Sequence, residues 1–521
     1  MARKSTEARL TVSTFKGVNL TDPPHVIDDK EFAQVQNLII NDAGDLIRRK
    51  PLRYFHNPED APRSAIFMLG IFFNRILYSS DDNIYLSPVD TDLSDTYFTV
   101  SGGGEDAKNA VLYNKNLYIW SNSSSPSLTA LTVSDWTADS PTIGGATITG
   151  TPPDNIVKSV IFKDRLFTIH DPGDQSSRVN YSAVNDPGNW TGGGFFDVSP
   201  GDGDYVTDIL PFGERLFIFK RNSTYTLTVA GDPTAWVIKQ FDKSVGAIHP
   251  YNTLEYRGLM YVMSTRGLYR CDGIVFDYIG YPVQDRWIDT TLPIPAGSNY
   301  NYNVFMTMVD DYIFVVSGVD DIGTWFFNPV QNAWTECVFP ATQIDPGKLL
   351  LGFQGYFKNG VRGTIFGWNR GTLANLLWFG LTDPDTLGNT AYSDYTLHNA
   401  TAGSRVIDPI VTNIQTKEWD LGSFSRVKRH KYSTVEIVVP EQPQVTDAEF
   451  HTQYFFNRDS NTPVHEFRID SLNRGLLAHK IPGVGYARRL QLRMDTTHTL
   501  DYTLTAYELT FFTKSEAENP S

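Results

Sequence analysis

One short word recurs along the first three quarters of this chain: an apolar or aromatic residue, a polar turn, then an apolar pair with an aromatic partner. It reads FFNRILY at 72–78, YNKNLYIW at 113–120, FKDRLFTI at 162–169, FGERLFIF at 212–219, YRGLMYVM at 256–263 and VDDYIFVV at 309–316. A weaker copy, VRGTIFGW, follows at 361–368. Each copy reads as a β-hairpin in which the polar pair turns the chain and the apolar run is a buried strand. The apolar pairs begin at Leu77, Leu117, Leu166, Leu216, Met260, Ile313 and Ile365, spaced by 40, 49, 50, 44, 53 and 52 residues. Four short strands with their turns need roughly 40 to 50 residues, the length of one propeller blade. The expectation is an all-β chain with a β-propeller of six or seven blades over 61–400. Two stacked β-sandwiches are the competing arrangement.

A further strand often follows each copy, centred on Tyr85, Tyr181, Tyr225, Tyr269 or Trp325. Asp-Pro or Asn-Pro turns closed by tryptophan come next, at 185–190, 231–236 and 328–334. Proline presets φ for such turns, and Trp190, Trp236 and Trp334 are expected to seal neighbouring blades against each other. The composition agrees: 13% aromatic residues, 40 Gly and 29 Pro suit many short strands joined by tight turns.

Outside the repeats, 28–40 (DDKEFAQVQNLII) reads as a short helix capped by Asp28 or Asp29, with Phe32, Val35 and Leu38 as its apolar stripe. Residues 1–60 form an N-terminal arm and docking segment. Beyond 400 the repeat stops, and alternating strands over 401–515 predict a C-terminal antiparallel β-sandwich. Residues 516–521 are a frayed polar tail.

The net charge of −15 argues against a protein that grips nucleic acid by neutralising phosphates. It does not exclude a protein that DNA must slide past, since an acidic wall repels the polyanion. Cys271 and Cys337 are too few for a disulfide framework and read as reduced core thiols. No apolar run is long enough for a membrane helix, and no signal peptide is evident.

The chain carries no phosphate loop, HExxH, CxxC or GxSxG pattern, so no catalytic residue, cofactor or metal is assigned. Acidic turns at Asp202, Asp204 and Asp208, and at Asp310, Asp311, Asp320 and Asp321, lack the closing bidentate acid of a calcium loop and read as turn chemistry. Two basic groups stand out near the C-terminus: Arg426, Lys428, Arg429, His430 and Lys431, then Arg488, Arg489 and Arg493. On a strand, Arg426, Lys428 and His430 share one face, with Arg429 and Lys431 opposite. Arg426, Lys428, Arg429, Arg488 and Arg489 are candidates for an intersubunit patch, against the plainer reading of a solvated, edge-protecting sheet face.

Residues 15–52 (FKGVNLTDPPHVIDDKEFAQVQNLIINDAGDLIRRKPL) resemble the opening of tail nozzle proteins of short-tailed bacteriophages, a tail-hub or DNA-stabilisation family. The residues that carry the likeness are Gly17, Asn19, Asn37, Gly44, Arg48, Arg49 and Pro51. Residues 219–236 are similar to strands of these propellers, and 483–511 to the family's closing strands. The resemblance implies a non-enzymatic structural protein of the virion tail, made in the bacterial host cytoplasm. It implies a homohexameric ring below the portal and adaptor that retains packaged DNA, conducts it at ejection, and holds fibres, spikes or a needle. Loops with Asp106, Asp202 and Asp204 are then candidates for the channel wall. A carbohydrate- or receptor-binding propeller is the alternative, and a propeller hydrolase with two close carboxylates the third.

Overall fold

The computed structural model describes residues 6–50, 52–56, 67–73, 75–80, 83–88, 109–120, 128–134, 142–170, 176–288, 305–316, 323–339, 349–356, 362–370, 373–379, 393–398, 405–420, 428–439, 449–456, 463, 465–470, 475–496 and 502–513. Among the described residues seven antiparallel blades follow one another along the chain, the sixth as part of a larger sheet, and they form a β-propeller. Blade one holds Phe67–Phe72, Arg75–Ser80 and Asn83–Pro88. The inner strands of blades two to six are Asn109–Tyr113, Ile156–Phe162, Val206–Phe212, Thr253–Tyr256 and Phe305–Val309. Blade seven starts with Leu349–Tyr356 and takes its fourth strand, Leu52–His56, from the N-terminal region. Its inner strand lies against that of blade one, which closes the ring.

The recurring word is the first hairpin of each blade. Leu77, Leu117, Leu166, Leu216, Met260, Ile313 and Ile365 all lie on second strands, and all are buried. A strand buried on both faces reads as a continuous apolar run, and that made the repeat visible. The residues at these turns have a second use, because they tie blades two to six together in sequence. Tyr113 Oη donates to Asp164 (3.5 Å), Lys163 pairs with Glu214, Arg215 donates to the Gly273 carbonyl (2.6 Å), and Tyr256 donates to Asp311 (2.9 Å). The tryptophans after the Pro turns reach back to the preceding blade, as expected. Trp190 meets Trp120 edge-on (5.7 Å), Trp236 packs on Tyr181 (4.6 Å), and Trp334 Nε1 donates to the Ile279 carbonyl (2.9 Å).

The second module is a sandwich. One sheet runs Gly475–Ala487, Lys428–Val439, Thr503–Thr513, Leu46–Arg48, Leu38–Ile40, with Thr6–Ser13 also beside Thr503–Thr513. The other runs Glu31–Gln36, Thr412–Thr416, Leu490–Thr496, Glu449–Phe456, His465–Asp470. Val12, Phe15, Phe32, Val35, Ile414, Val435 and Tyr507 fill the space between them. The sandwich therefore draws strands from both ends of the chain.

The stretch 28–40 is not a helix. Glu31–Gln36 and Leu38–Ile40 are strands, separated by Asn37 at φ 59°. A register shift between Phe32 and Gln34 turns Phe32 and Val35, three residues apart, to the same buried side. A bulge adds one residue to the two-residue strand period and so imitates a helical spacing.

Candidate functional site: the clasp between propeller and sandwich

The outer strand of blade six, Ala333–Cys337, does not end its sheet. Gly17–Val18 adds to it in parallel, Glu31–Gln36 follows, and a ten-stranded sheet runs from the propeller into the sandwich. Gly17 makes this contact possible. A Cβ there would lie 2.4 Å from the Trp334 carbonyl oxygen, and φ is +91°. No side chain fits so close to another backbone.

Asn37 is the centre of the clasp. Its left-handed conformation is one that asparagine tolerates better than most residues. Its amide Nδ2 donates to the Val411 carbonyl (2.7 Å), while Oδ1 accepts from Arg49 Nε (2.8 Å) and from the Val338 backbone N–H (2.9 Å). The Asn37 N–H donates to the Glu336 carbonyl (2.8 Å). One side chain thus binds the N-terminal segment, blade six and the sandwich.

Two arginines lie buried beside it. Arg49 donates to the carbonyls of Lys50 (3.2 Å) and Val338 (3.3 Å) and stacks over Phe339 (5.1 Å). Arg48 donates to the Ile410 carbonyl. Guanidinium groups suit the place because a planar fork of donors satisfies several carbonyls at once. Asn19 organises the entry: Nδ2 donates to Asp22 and Glu31 (3.0 Å each), and Oδ1 accepts from the Asp22 N–H (3.1 Å). Gly44, at φ +88°, accepts from the Phe15 N–H (2.7 Å), and a Cβ on it would strike Thr14. Of the seven residues that carry the resemblance, Gly17, Asn37, Arg48 and Arg49 reach blade six or the 410–411 segment, while Asn19 and Gly44 bond within the N-terminal segment. Pro51 lies outside the described residues.

The propeller axis is closed by a separate polar cluster that the sequence did not reveal. Tyr251, at φ 64°, sits on the connection into blade five and crosses the axis. Its hydroxyl accepts from Asn109 Nδ2 of blade two (2.7 Å), and its ring lies under Lys158 Nζ of blade three (5.1 Å). Its carbonyl accepts from Met306 of blade six (3.1 Å), and its ring meets Phe353 of blade seven (6.3 Å). Lys158 pairs with fully buried Asp208, which also accepts from Thr253 Oγ1 (2.8 Å) and the Asn252 N–H (3.2 Å). Burial pushes the Asp208 carboxyl upward, and the Lys158 ammonium opposes it. Burial likewise raises the Tyr251 phenol, so it stays a neutral hydrogen-bonding group.

The remaining candidates lie apart from both places. Asp202 stays exposed but holds buried Lys220, whose ammonium donates to both Asp202 oxygens (2.8 and 2.7 Å) and to the Ser199 carbonyl (3.0 Å), while Asp204 binds the Asn222 N–H (3.1 Å) and Ser223 hydroxyl (3.2 Å). Asp311 holds Arg362 (2.8 Å). Lys428 corrects the basic-patch expectation, since it is 1% exposed and donates to the Asp420 carbonyl. The strand alternation that pairs it with His430 holds, and it turns both inward. Arg429 and Arg488 are exposed, and Arg489 pairs with Glu418 (2.9 Å). Asp106, Asp320, Asp321 and Arg426 lie outside the described residues.

No family model matches this chain. No curated protein matches it either. Among solved structures, it is similar to the extracellular domain of a one component system of B. thetaiotaomicron, at 8% identity and TM-score 0.42. That match covers 70% of this chain and 51% of the other, so this chain spans about half of that protein. The AfRom2 CNH domain (8% identity, TM-score 0.39, 63% and 98% covered) and the Neurospora crassa Pan2 WD40 domain (8%, 0.36, 69% and 98%) are also similar. The propeller assignment stands on the sheet topology itself. No helix among the described residues is long and apolar enough to cross a membrane.

Proposed function

We propose that this chain is a non-catalytic structural subunit of a bacteriophage tail, forming a nozzle ring below the portal and adaptor that retains packaged DNA and conducts it at ejection. The observation that carries the reading is the clasp. Gly17, Asn37, Arg48 and Arg49, four of the residues that carry the resemblance to nozzle-protein openings, link the N-terminal strands to blade six and to the 410–411 segment, and Asn19 and Gly44 shape the turns of those strands. A continuous sheet with a buried clasp suits a body that bears load between neighbours. The axial cluster supports the same reading, because DNA would pass through the lumen of a homohexameric ring and not through a propeller crossed by Tyr251. The acidic charge suits a conduit that does not hold its cargo. Tail fibres, a spike or a needle are the distal partners in this scheme, and the virion tail is its location.

The test is the mass of the purified full chain by light scattering with negative-stain imaging, alone and mixed with a cognate adaptor–portal complex. A ring about six subunits around with an open centre supports the reading. A monomer in both conditions, especially one that binds a glycan array, refutes it and favours a carbohydrate- or receptor-binding propeller.

A further inference from the structure

The first strand of the chain is fastened from one side only. Among the described residues, Thr6–Ser13 pairs with Thr503–Thr513 and with no other strand, in an unbroken antiparallel register from Thr6 opposite Thr513 to Ser13 opposite Ala506. Side chains add little to that ladder. Val12 is buried and Leu10 partly so, whereas Glu7, Arg9, Thr11 and Ser13 are exposed. The ion pair of Glu7 with Lys431 (2.9 Å) and the hydrogen bond from Thr11 to Glu508 (3.2 Å) lie at the surface, where such contacts hold weakly.

The chain is anchored immediately after this strand. Phe15 is fully buried against the rings of Phe32 (5.2 Å) and Tyr507 (5.9 Å), and its N–H donates to the Gly44 carbonyl (2.7 Å). Thr14 is thus a one-residue hinge between a lightly held strand and a fixed point. It sits at φ 59°, in the left-handed region, which a β-branched residue adopts only under constraint. Laying the strand on its own sandwich imposes that strain, and an extended hinge removes it. Short strained hinges favour exchange of a terminal element between identical chains.

Fit and charge name the occupant. The edge of Thr503–Thr513 is matched in length and register by Thr6–Ser13, so the same strand of a second copy can pair there without any new complementarity. Three of the four charged residues among the first thirteen are basic, Arg3, Lys4 and Arg9 against Glu7, in a chain of net charge −15. The field of another copy therefore attracts this segment. We propose that Thr6–Ser13 is exchanged between copies, each strand lying beside Thr503–Thr513 of a neighbour. The inference rests on the ring reading for one thing only, that copies of the chain associate. Head-to-tail exchange of this kind suits a closed ring.

The experiment uses the full-length double variant Thr11→Cys/Glu508→Cys, whose positions face each other across the strand pair at a separation a disulfide can span. Cys271 and Cys337 are buried and leave the background quiet. The protein is oxidised alone and after assembly with the adaptor–portal complex, imaged, and run on a denaturing gel without reductant. The expected result is disulfide-linked dimers and higher multimers that vanish on reduction and are absent from Thr11→Cys alone. Adding Thr14→Gly should lower the ratio of linked multimers to internally linked monomers about fivefold, because glycine carries the hinge angle without strain. An unchanged ratio overturns the strained hinge as the cause. Rings that contain only internally linked monomers overturn the exchange and leave the ring reading standing. Linked multimers without a ring uphold the exchange and refute the ring. Internally linked monomers without assembly in any condition refute both.

Discussion

Replacing Asn37 with alanine is the most informative single perturbation of the clasp. The side chain makes three hydrogen bonds from a position 5% exposed: to Val411, from Arg49 and from Val338. Each contributes about 1 kcal/mol net, and more where the partner is charged and left buried. Alanine at φ 59° adds about 1 kcal/mol of backbone strain. The expected cost to the clasp is about 4 kcal/mol, on the order of a thousandfold in its opening equilibrium. Native-state hydrogen exchange reads this directly at the Val338 amide, whose proton is held by Asn37 itself, and at the neighbouring Glu31–Gln36 strand. Asn37→Gly separates the two contributions, since glycine relieves the strain and restores no hydrogen bond. It should recover about 1 kcal/mol and no more. Exchange in the strand that changes less than fivefold in the alanine variant would show that the adjacent sheet holds the modules together without the clasp, and the reasoning would be wrong.

Removing the charge of Asp208 by Asp208→Asn leaves the Lys158 ammonium buried without its counter-ion, and should cost about 3 kcal/mol or more. The double variant Lys158→Met/Asp208→Leu should be less damaging than that single change, read by chemical denaturation. A double variant worse than the single would argue that the charges do not act as a pair. Burial lowers the imidazoles of His249 and His430 to about 4, from an ordinary value near 6.5. A depressed folded-state value means the unfolded chain binds more protons between those limits. The stability from each neutral histidine is therefore complete above about pH 6.5 and declines as pH falls toward 4, by up to about 1.4 kcal/mol per unit. Thermal midpoints from pH 7.5 to 4.5 should fall, less steeply in His430→Asn. An identical slope in that variant would remove His430 as a source.

The sequence by itself determined the propeller, because blade strands are local. Each hairpin partner lies within a few residues, so Leu166 and Leu216 declare their buried strands through an apolar run and an adjacent polar turn. The tryptophan seals were legible for the same reason: a Pro turn fixes where Trp236 emerges, and the neighbouring blade is always next in the chain. Gly17, Asn37 and Arg49 stood out in the N-terminal sequence as well. Their purpose was not legible, because Asn37 joins Val338 and Val411, about three hundred and more residues away. The bulge that mimicked a helix at Phe32 and Val35 exists only because a distant strand, Thr412–Thr416, sets the register. Lys428 read as a surface charge because composition carries no record of which strand face turns inward. The crossing of the axis by Tyr251 likewise needed the ring to close first, since it meets blades two, three, six and seven at once. Short-range pairing is written in local pattern and turn chemistry, whereas contacts across hundreds of residues depend on how the assembled modules pack, and only the tertiary structure decided them.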